Sequence, residues 1–332
     1  MDSAIAKLNG SFDNLIINAG NSNAEVVDMR TDYKGNKWDT SGKRLDDMTK
    51  EIEVLYYEPL PGEKGVLNTQ YKPGDVRRYG IFPDGVTNWN LTTDYITTIQ
   101  ENSANLGLEI FFPSGIYNSE FNLYMSNVSC RFEAGCEFTG LLHFGGVIRK
   151  GDTEVTKIEN VRLYGDLVTY DRFGTFYIDG LTIEGNIHVK SVPEKALNYP
   201  GLRTRGCHIF RGTRNLRVND IIVDDIDEMG FSNDAAIEID ANDMNELPTN
   251  INVRRMIVKK SDIHGVYLMG NGYNVDEIIV EEFGKGTYRK GQTDNTSCIG
   301  ADPKQSRELK GVWLNRMGDS YIGKISVNNA DD

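Results

Sequence analysis

The sequence predicts an all-β chain wound into a parallel β-helix, a solenoid of stacked coils whose lower end is closed by one amphipathic helix. Three observations predict it. A step of two apolar residues and a valine followed by two charges recurs as Ile221-Ile222-Val223-Asp224-Asp225, Met256-Ile257-Val258-Lys259-Lys260 and Ile278-Ile279-Val280-Glu281-Glu282, and Leu314 of Val312-Trp313-Leu314 extends the series. The steps are unequally spaced while the strand stays constant, as expected of coils whose loops grow outward from one corner. A second strand recurs near the first as Cys207-His208-Ile209-Phe210, Ile237-Glu238-Ile239-Asp240 and Val266-Tyr267-Leu268-Met269. Finally, residues 108–327 hold only short apolar runs separated by Gly, Asn and Asp, with no further helix pattern. Val223, Val258 and Val280 should therefore stack in one core column.

The lower end reads in order. Asp75 to Gly80 is an extended lead-in, and Asp84-Gly85 favours a tight turn. Thr92 is placed to cap a helix with Tyr95, Ile96, Ile99 and Ala104 on one face and Gly107 just past its end. The strand Leu108 to Phe112 then stops at Pro113-Ser114-Gly115. Such a helix shields the bare strand edge and apolar bore of the first coil. The competing reading is an ordinary helix-strand unit of an α/β domain, but no strand-helix alternation follows. The motifs D-V-R-x-Y-G, D-G-V-T, I-x-x-I-Q and F-P-x-G-x-Y occur here in that order, and the stretch resembles the pectate-lyase-like β-helix superfamily. That resemblance implies a right-handed solenoid over residues 77–332.

Composition bounds the function. A chain of 332 residues with 39% hydrophobic content can bury a continuous core. No long apolar run and no basic start followed by an apolar block is present, so neither a membrane span nor a secretory signal is expected. A net charge of −13 disfavours nucleic acid and anionic membrane surfaces as partners. No phosphate loop, Ser-His-Asp set or zinc spacing calls for a cofactor or metal. Cys130, Cys136, Cys207 and Cys298 lack C-x-x-C spacing and read as reduced, buried residues of a protein made in a cytoplasm, with a Cys130–Cys136 pair left open.

The amino-terminal part differs. Residues 1–56 read as an attachment segment and helical neck, with Leu45, Met48, Ile52 and Leu55 at coiled-coil spacing, or equally as one amphipathic helix packed on its own domain. Residues 57–76, rich in Pro and Gly, read as a linker. Glu25-Val26-Val27-Asp28-Met29-Arg30, with Asp32, Gly35, Gly42 and Arg44-Leu45-Asp46, resembles the start of tail fibres and appendages in phages of Gram-positive bacteria. With the capped solenoid, the chain resembles the preneck appendages and tail spikes of podophages. The resemblance implies a virion protein docked to collar or tail proteins through residues 1–56, a homotrimer where the seam alone also suits a dimer, and a host cell-surface glycopolymer as partner. Some members also cut that polymer, and the remaining alternative is a purely structural collar or tail component that makes no host contact. The strand-like carboxyl end, Ser326-Val327-Asn328-Asn329, departs from relatives that continue further, so a shortened relative or a portion of a longer chain is expected.

Period-two alternation points Cys207/Ile209, Ile237/Ile239 and Val266/Leu268 inward and leaves two outer stripes, His208-Glu238-Tyr267 and Phe210-Asp240-Met269. These six are the candidate glycan-contacting face. Glu238, Asp240 and His208 are the candidate catalytic set should the face cleave, with Phe210, Tyr267 and Met269 as binding residues. The alternative is a solvated face of an acidic solenoid. Ser232-Asn233-Asp234, Asp240 to Asp243 and Ile263-His264-Gly265 echo polygalacturonase elements in order, adding Asp234 and His264 as candidate binding residues, although a turn cap and a satisfied loop histidine are the competing readings. Glu238, Asp240 and Asp243 lack the spacing of a calcium loop. Asp224-Asp225 and Glu281-Glu282 read as solvated corners.

Overall fold

A computed structural model describes residues 60–65, 67, 70–89, 91, 94–146, 155–190, 206–226, 235–261, 264–283 and 310–328. They lie in one compact unit, Pro59–Asp332. The seam residues Leu45, Met48, Ile52 and Leu55, the rest of the attachment segment, Thr92, Asp234 and Cys298 lie outside the described residues.

The unit is all-β and solenoid-like, because each strand bonds in parallel to a strand one coil further along the chain. Three columns result. The first runs through β2 (Glu109–Phe112), β5 (Ser129–Phe132), β8 (Ile158–Tyr164), β11 (Ile178–Glu184) and the leading halves of β14 (Arg214–Ile226), β16 (Thr249–Ser261), β18 (Asn274–Val280) and β20 (Tyr321–Val327). The second starts with β3 (Gly115–Asn118), on which β1 (Asp84–Asn88) pairs, and continues through β6 (Cys136–Phe138), β9 (Leu167–Thr169), β12 (Ile187–Val189) and the trailing halves of the same long strands. The third is β4 (Phe121–Leu123), β7 (Leu142–Gly145), β10 (Arg172–Phe176), β13 (Gly206–Ile209), β15 (Ala235–Ile239), β17 (His264–Asn271) and β19 (Val312–Gly318).

Val223, Val258 and Val280 are consecutive rungs of the second column and fully buried. The next rung is Val327, and Leu314 pairs instead with Leu268 in the third column. The misplacement has a simple cause: the long insertion after Phe283 leaves Val312-Trp313-Leu314 as the first apolar triplet met, although it lacks the two charges that mark the valine step. The lower bore is filled by rings, with Phe112 stacked on Phe132 at 5.1 Å and Tyr117 on Phe138 at 5.1 Å. Higher coils are filled by Ile, Val and Leu.

At the base, Val76–Tyr79 is a short 3-10 turn where an extended lead-in was expected. The Asp75 carboxylate accepts from the Arg77 amide at 2.9 Å, which turns the chain at once. Gly85 keeps the positive φ of 70° expected of the Asp-Gly pair, and the Asp84 carboxylate accepts from the amides of Val86 and Thr87, but the segment also pairs with β3 as a strand. The helix α1 (Asp94–Leu106) buries Ile96 and Ile99 in the main core, and Gly107 ends it with φ 67°. Its Gln100 amide bonds the backbone on both sides of Leu123, donating to Asn122 O at 2.9 Å and accepting from Tyr124 N at 3.0 Å.

The described part of residues 57–76 is packed rather than a free linker. The Arg78 guanidinium forks onto the Glu63 carboxylate at 2.5 and 2.8 Å, and both side chains are 0% exposed. Pro and Gly here make tight turns against the base, which composition alone does not distinguish from a tether. Cys130, Cys136 and Cys207 are free and buried, so the open Cys130–Cys136 pair is not formed, and burial pushes their thiols up. Among the described residues no helix is long and apolar enough to cross a membrane.

One corner was not foreseen. Asn127, Asn160, Asn215 and Asn250 all adopt φ of 53–61°, and Asn250 Nδ2 donates to Asn215 Oδ1 at 3.0 Å, one coil below. Asn tolerates this left-handed conformation better than other non-glycine residues. Asn250→Ala is expected to cost about 1–2 kcal/mol, from backbone strain plus a lost hydrogen bond. Asn250→Gly should cost less. Urea midpoints of the three proteins check this, and equal losses for Ala and Gly would remove the backbone explanation.

Candidate functional site

The third column turns Cys207/Ile209, Ile237/Ile239 and Val266/Leu268 into the bore, fully buried, and leaves the alternate residues on one outer stripe. His208, Glu238 and Tyr267 are successive rungs in register, as the alternation predicted. The stripe also extends further than expected, to His143 and Gly174 below and Trp313 above. Beside it, Phe210 and Asp240 hang from the coil beneath through Phe210 N to Thr175 O (3.1 Å) and Asp240 N to Ile209 O (3.1 Å).

The candidate catalytic residues are brought together. His208 Nε2 lies 2.8 Å from Asp240 Oδ1, and one ligand atom each from His208, Glu238 and Asp240 falls within 4.8 Å of the others. A carboxylate on one ring nitrogen fixes the tautomer and orientation of the imidazole. Glu238 is 4% exposed, so its carboxyl lies beneath the stripe rather than open on it. The same three groups are close enough to hold a cation, although the His208 nitrogen nearest them already bonds Asp240.

The binding candidates divide. Tyr267 is half-buried, its ring edge-on to Trp313 at 4.9 Å and its hydroxyl accepting from Asn315 Nδ2 at 2.8 Å. Phe210 stacks on Phe176 at 6.0 Å and 17°, forming a two-ring wall. Met269 is not a contact residue on the open face: it is 6% exposed and packs with Ala241 and Leu247 of the loop that follows β15. His264 is likewise structural. It is 5% exposed, and its Nδ1 accepts from the Lys310 amide at 2.9 Å, so the satisfied reading holds. Asp243 caps the short turn Met244–Glu246 by accepting from the Asn245 amide at 2.9 Å, which makes it a turn residue. Asp224, expected as a solvated corner, pairs with His188 at 2.9 Å and Lys259 at 2.7 Å. Burial pushes its pKa up, but the bonds from His188 and Lys259 outweigh it and leave the carboxyl below its usual range. Glu281 and Glu282 are exposed as expected.

Sequence reading missed the cleft at the lower end of the stripe. His143, Arg172, Gly174, Phe176, His208 and Phe210 line a cavity of about 200 Å³. Burial, aided by the nearby Arg172 guanidinium, lowers the His143 pKa to about 4, so its imidazole is neutral at ordinary pH. On the far side, Arg211 lies over the Phe176 ring at 5.0 Å. A glycine alternating with apolar residues was the only sequence signal for this cleft, and it reads as a turn until the strands are stacked.

No protein-family model, curated protein or solved structure matches the chain.

Proposed function

We propose that the chain is a virion appendage that attaches a phage particle to a host surface glycopolymer, with its solenoid as a right-handed parallel β-helix capped by α1 and presented as a rigid rod. The observation that carries the binding part is an outer face on which His208, Tyr267 and Trp313 stand on one stripe, with Phe210 and Asp240 beside it, over successive coils. Rungs about 4.8 Å apart give such a column the reach of several sugar units. Aromatic faces with adjacent hydrogen-bonding groups suit sugars, whose rings carry apolar and hydroxyl faces. The phage part rests on the residue pattern of positions 25–46 and on the motifs from Asp75 to Tyr117. Docking of residues 1–56 on collar or tail proteins, and a homotrimeric state, belong to the same reading.

Tyr267→Ala should weaken adsorption to host cell wall by about 1 kcal/mol or more, roughly fivefold. Tyr267→Phe keeps the ring and should retain most of the affinity. Unchanged adsorption of Tyr267→Ala would move the contact off this column.

The second reading is that the same face cleaves the polymer, favoured by the His208–Asp240 pair beside Glu238. Carboxylates this close suit a nucleophile mechanism better than one that seats a water between groups about 6.5–9.5 Å apart. Gel filtration of host polymer after incubation separates the readings. Binding alone leaves polymer size constant in the parent and in Glu238→Gln, whereas cleavage shortens it in the parent and is abolished in Glu238→Gln or Asp240→Asn.

A further inference from the structure

Gly174 occupies a position on the outer stripe where its neighbours on either side are His143 and His208. Glycine inside a strand weakens it and is kept where a bulge, a strained backbone or a close approach requires it. Among the described residues none of these operates at Gly174. It lies in β10 in unbroken register with both neighbouring strands, its φ is outside the left-handed region, and an added Cβ would meet nothing nearer than His208 O at 3.7 Å. The missing side chain instead opens the cleft of about 200 Å³.

The lining has a definite chemistry. Arg172 supplies one cation, with its fork geometry suited to a carboxylate. His143 is neutral and offers hydrogen bonds without charge, and His208 is tied to Asp240. The stacked Phe176 and Phe210 rings form an apolar wall on one side. A space below the roughly 300–1,000 Å³ of drug-sized pockets suits a single small ring. One cation balances one negative charge, while Asp240 and Glu238 at the upper edge disfavour a dianion such as phosphate.

We propose that the Gly174 cleft is a subsite for one sugar residue bearing a carboxylate, its ring against Phe176 and Phe210 and its carboxylate on Arg172. The subsite rests on the glycan-attachment reading and names the class of sugar that reading leaves open. It lies three coils below Tyr267, about 14 Å along the same stripe, so one chain can occupy both.

The test uses the full chain, with glucuronate, glucose and inorganic phosphate as probes in ligand-observed NMR titrations. Glucuronate is expected to bind at least tenfold more tightly than glucose or phosphate. Arg172→Gln should bring glucuronate down to the level of glucose, and Gly174→Leu, which fills the cleft from an outward position, should abolish binding of both sugars. Gly174→Ala, which fits at ordinary contact distance, should weaken glucuronate several-fold and serves if the leucine variant does not fold. Equal binding of glucuronate and glucose to the parent, or undiminished glucuronate binding in the folded Gly174 and Arg172 variants, overturns the subsite. Phosphate binding equal to glucuronate reduces it to a general anion site and overturns the sugar assignment. Adsorption to host cell wall is measured on the same proteins. A parent that adsorbs without preferring glucuronate keeps the attachment reading and loses the subsite, whereas a parent that does not adsorb loses the attachment reading itself.

Discussion

Glu63→Ala should destabilise the protein by about 3–5 kcal/mol, because it takes the carboxylate counter-charge from the Arg78 guanidinium beneath the surface. Both side chains are 0% exposed, so water does not replace the lost carboxylate without opening the base. The bond from Arg78 Nη1 to Tyr71 O at 2.8 Å remains. The same carboxylate also accepts from the Leu60 amide at 2.9 Å, so its removal loosens the turn that leads into the solenoid. The pair itself is a weaker stabiliser than this number suggests. Replacing both partners, as in Glu63→Leu with Arg78→Met, removes charge and counter-charge together and should cost less than either single change. Urea denaturation followed by circular dichroism measures all three, and a loss under about 1 kcal/mol for Glu63→Ala would mean that the base admits water.

That buried pair also shows where reading the sequence stops. The parts of the fold that were readable are those in which one residue's neighbours decide its state: the alternation of Cys207, His208 and Ile209, the valine step at 223, 258 and 280, and the helix ending at Gly107. Each is a local pattern imposed by a strand or helix period. Glu63 and Arg78 lie fifteen positions apart, and nothing local distinguishes them from two solvated charges in a Pro-rich stretch. The asparagine corner was hidden differently. Asn215 and Asn250 precede Val223 and Val258 by the same offset, but a lone Asn reads as a loop residue until its partner one coil away is known.

The site divides along the same line. The stripe of His208, Glu238 and Tyr267 followed from the period of two, and so did their register. Exposure did not follow, because Met269 and Glu238 are covered by packing from the loop at 241–247 and from adjacent rungs rather than by their own strand. His264 was placed among binding residues by an echo of motif order, whereas the fold assigns its Nδ1 to the Lys310 amide, a residue 46 positions later. Gly174 is the converse case: its significance is an absence of atoms between two histidines, visible only when the coils are stacked.

Phe112→Ala should also cost about 3–5 kcal/mol. Phe112 is fully buried, with ring neighbours Phe121 at 5.0 Å, Phe132 at 5.1 Å, Tyr117 at 5.5 Å and Phe138 at 5.5 Å. Tyr117 and Phe121 belong to its own coil, while Phe132 and Phe138 belong to the next, so the truncation empties the contact between the first two coils. Phe112→Leu retains most of the volume and forfeits chiefly the aromatic pairing, roughly 0.5–1.5 kcal/mol. In a solenoid each coil is held mainly by its neighbours, and the loss should stay near the base. Hydrogen exchange in Phe112→Ala should therefore accelerate in β2 and β5 while β16 and β18 keep their protection. Equal acceleration along the whole chain would instead mean that the coils unfold as one cooperative unit, and a stabilising contact anywhere in the bore would then protect the outer stripe as well.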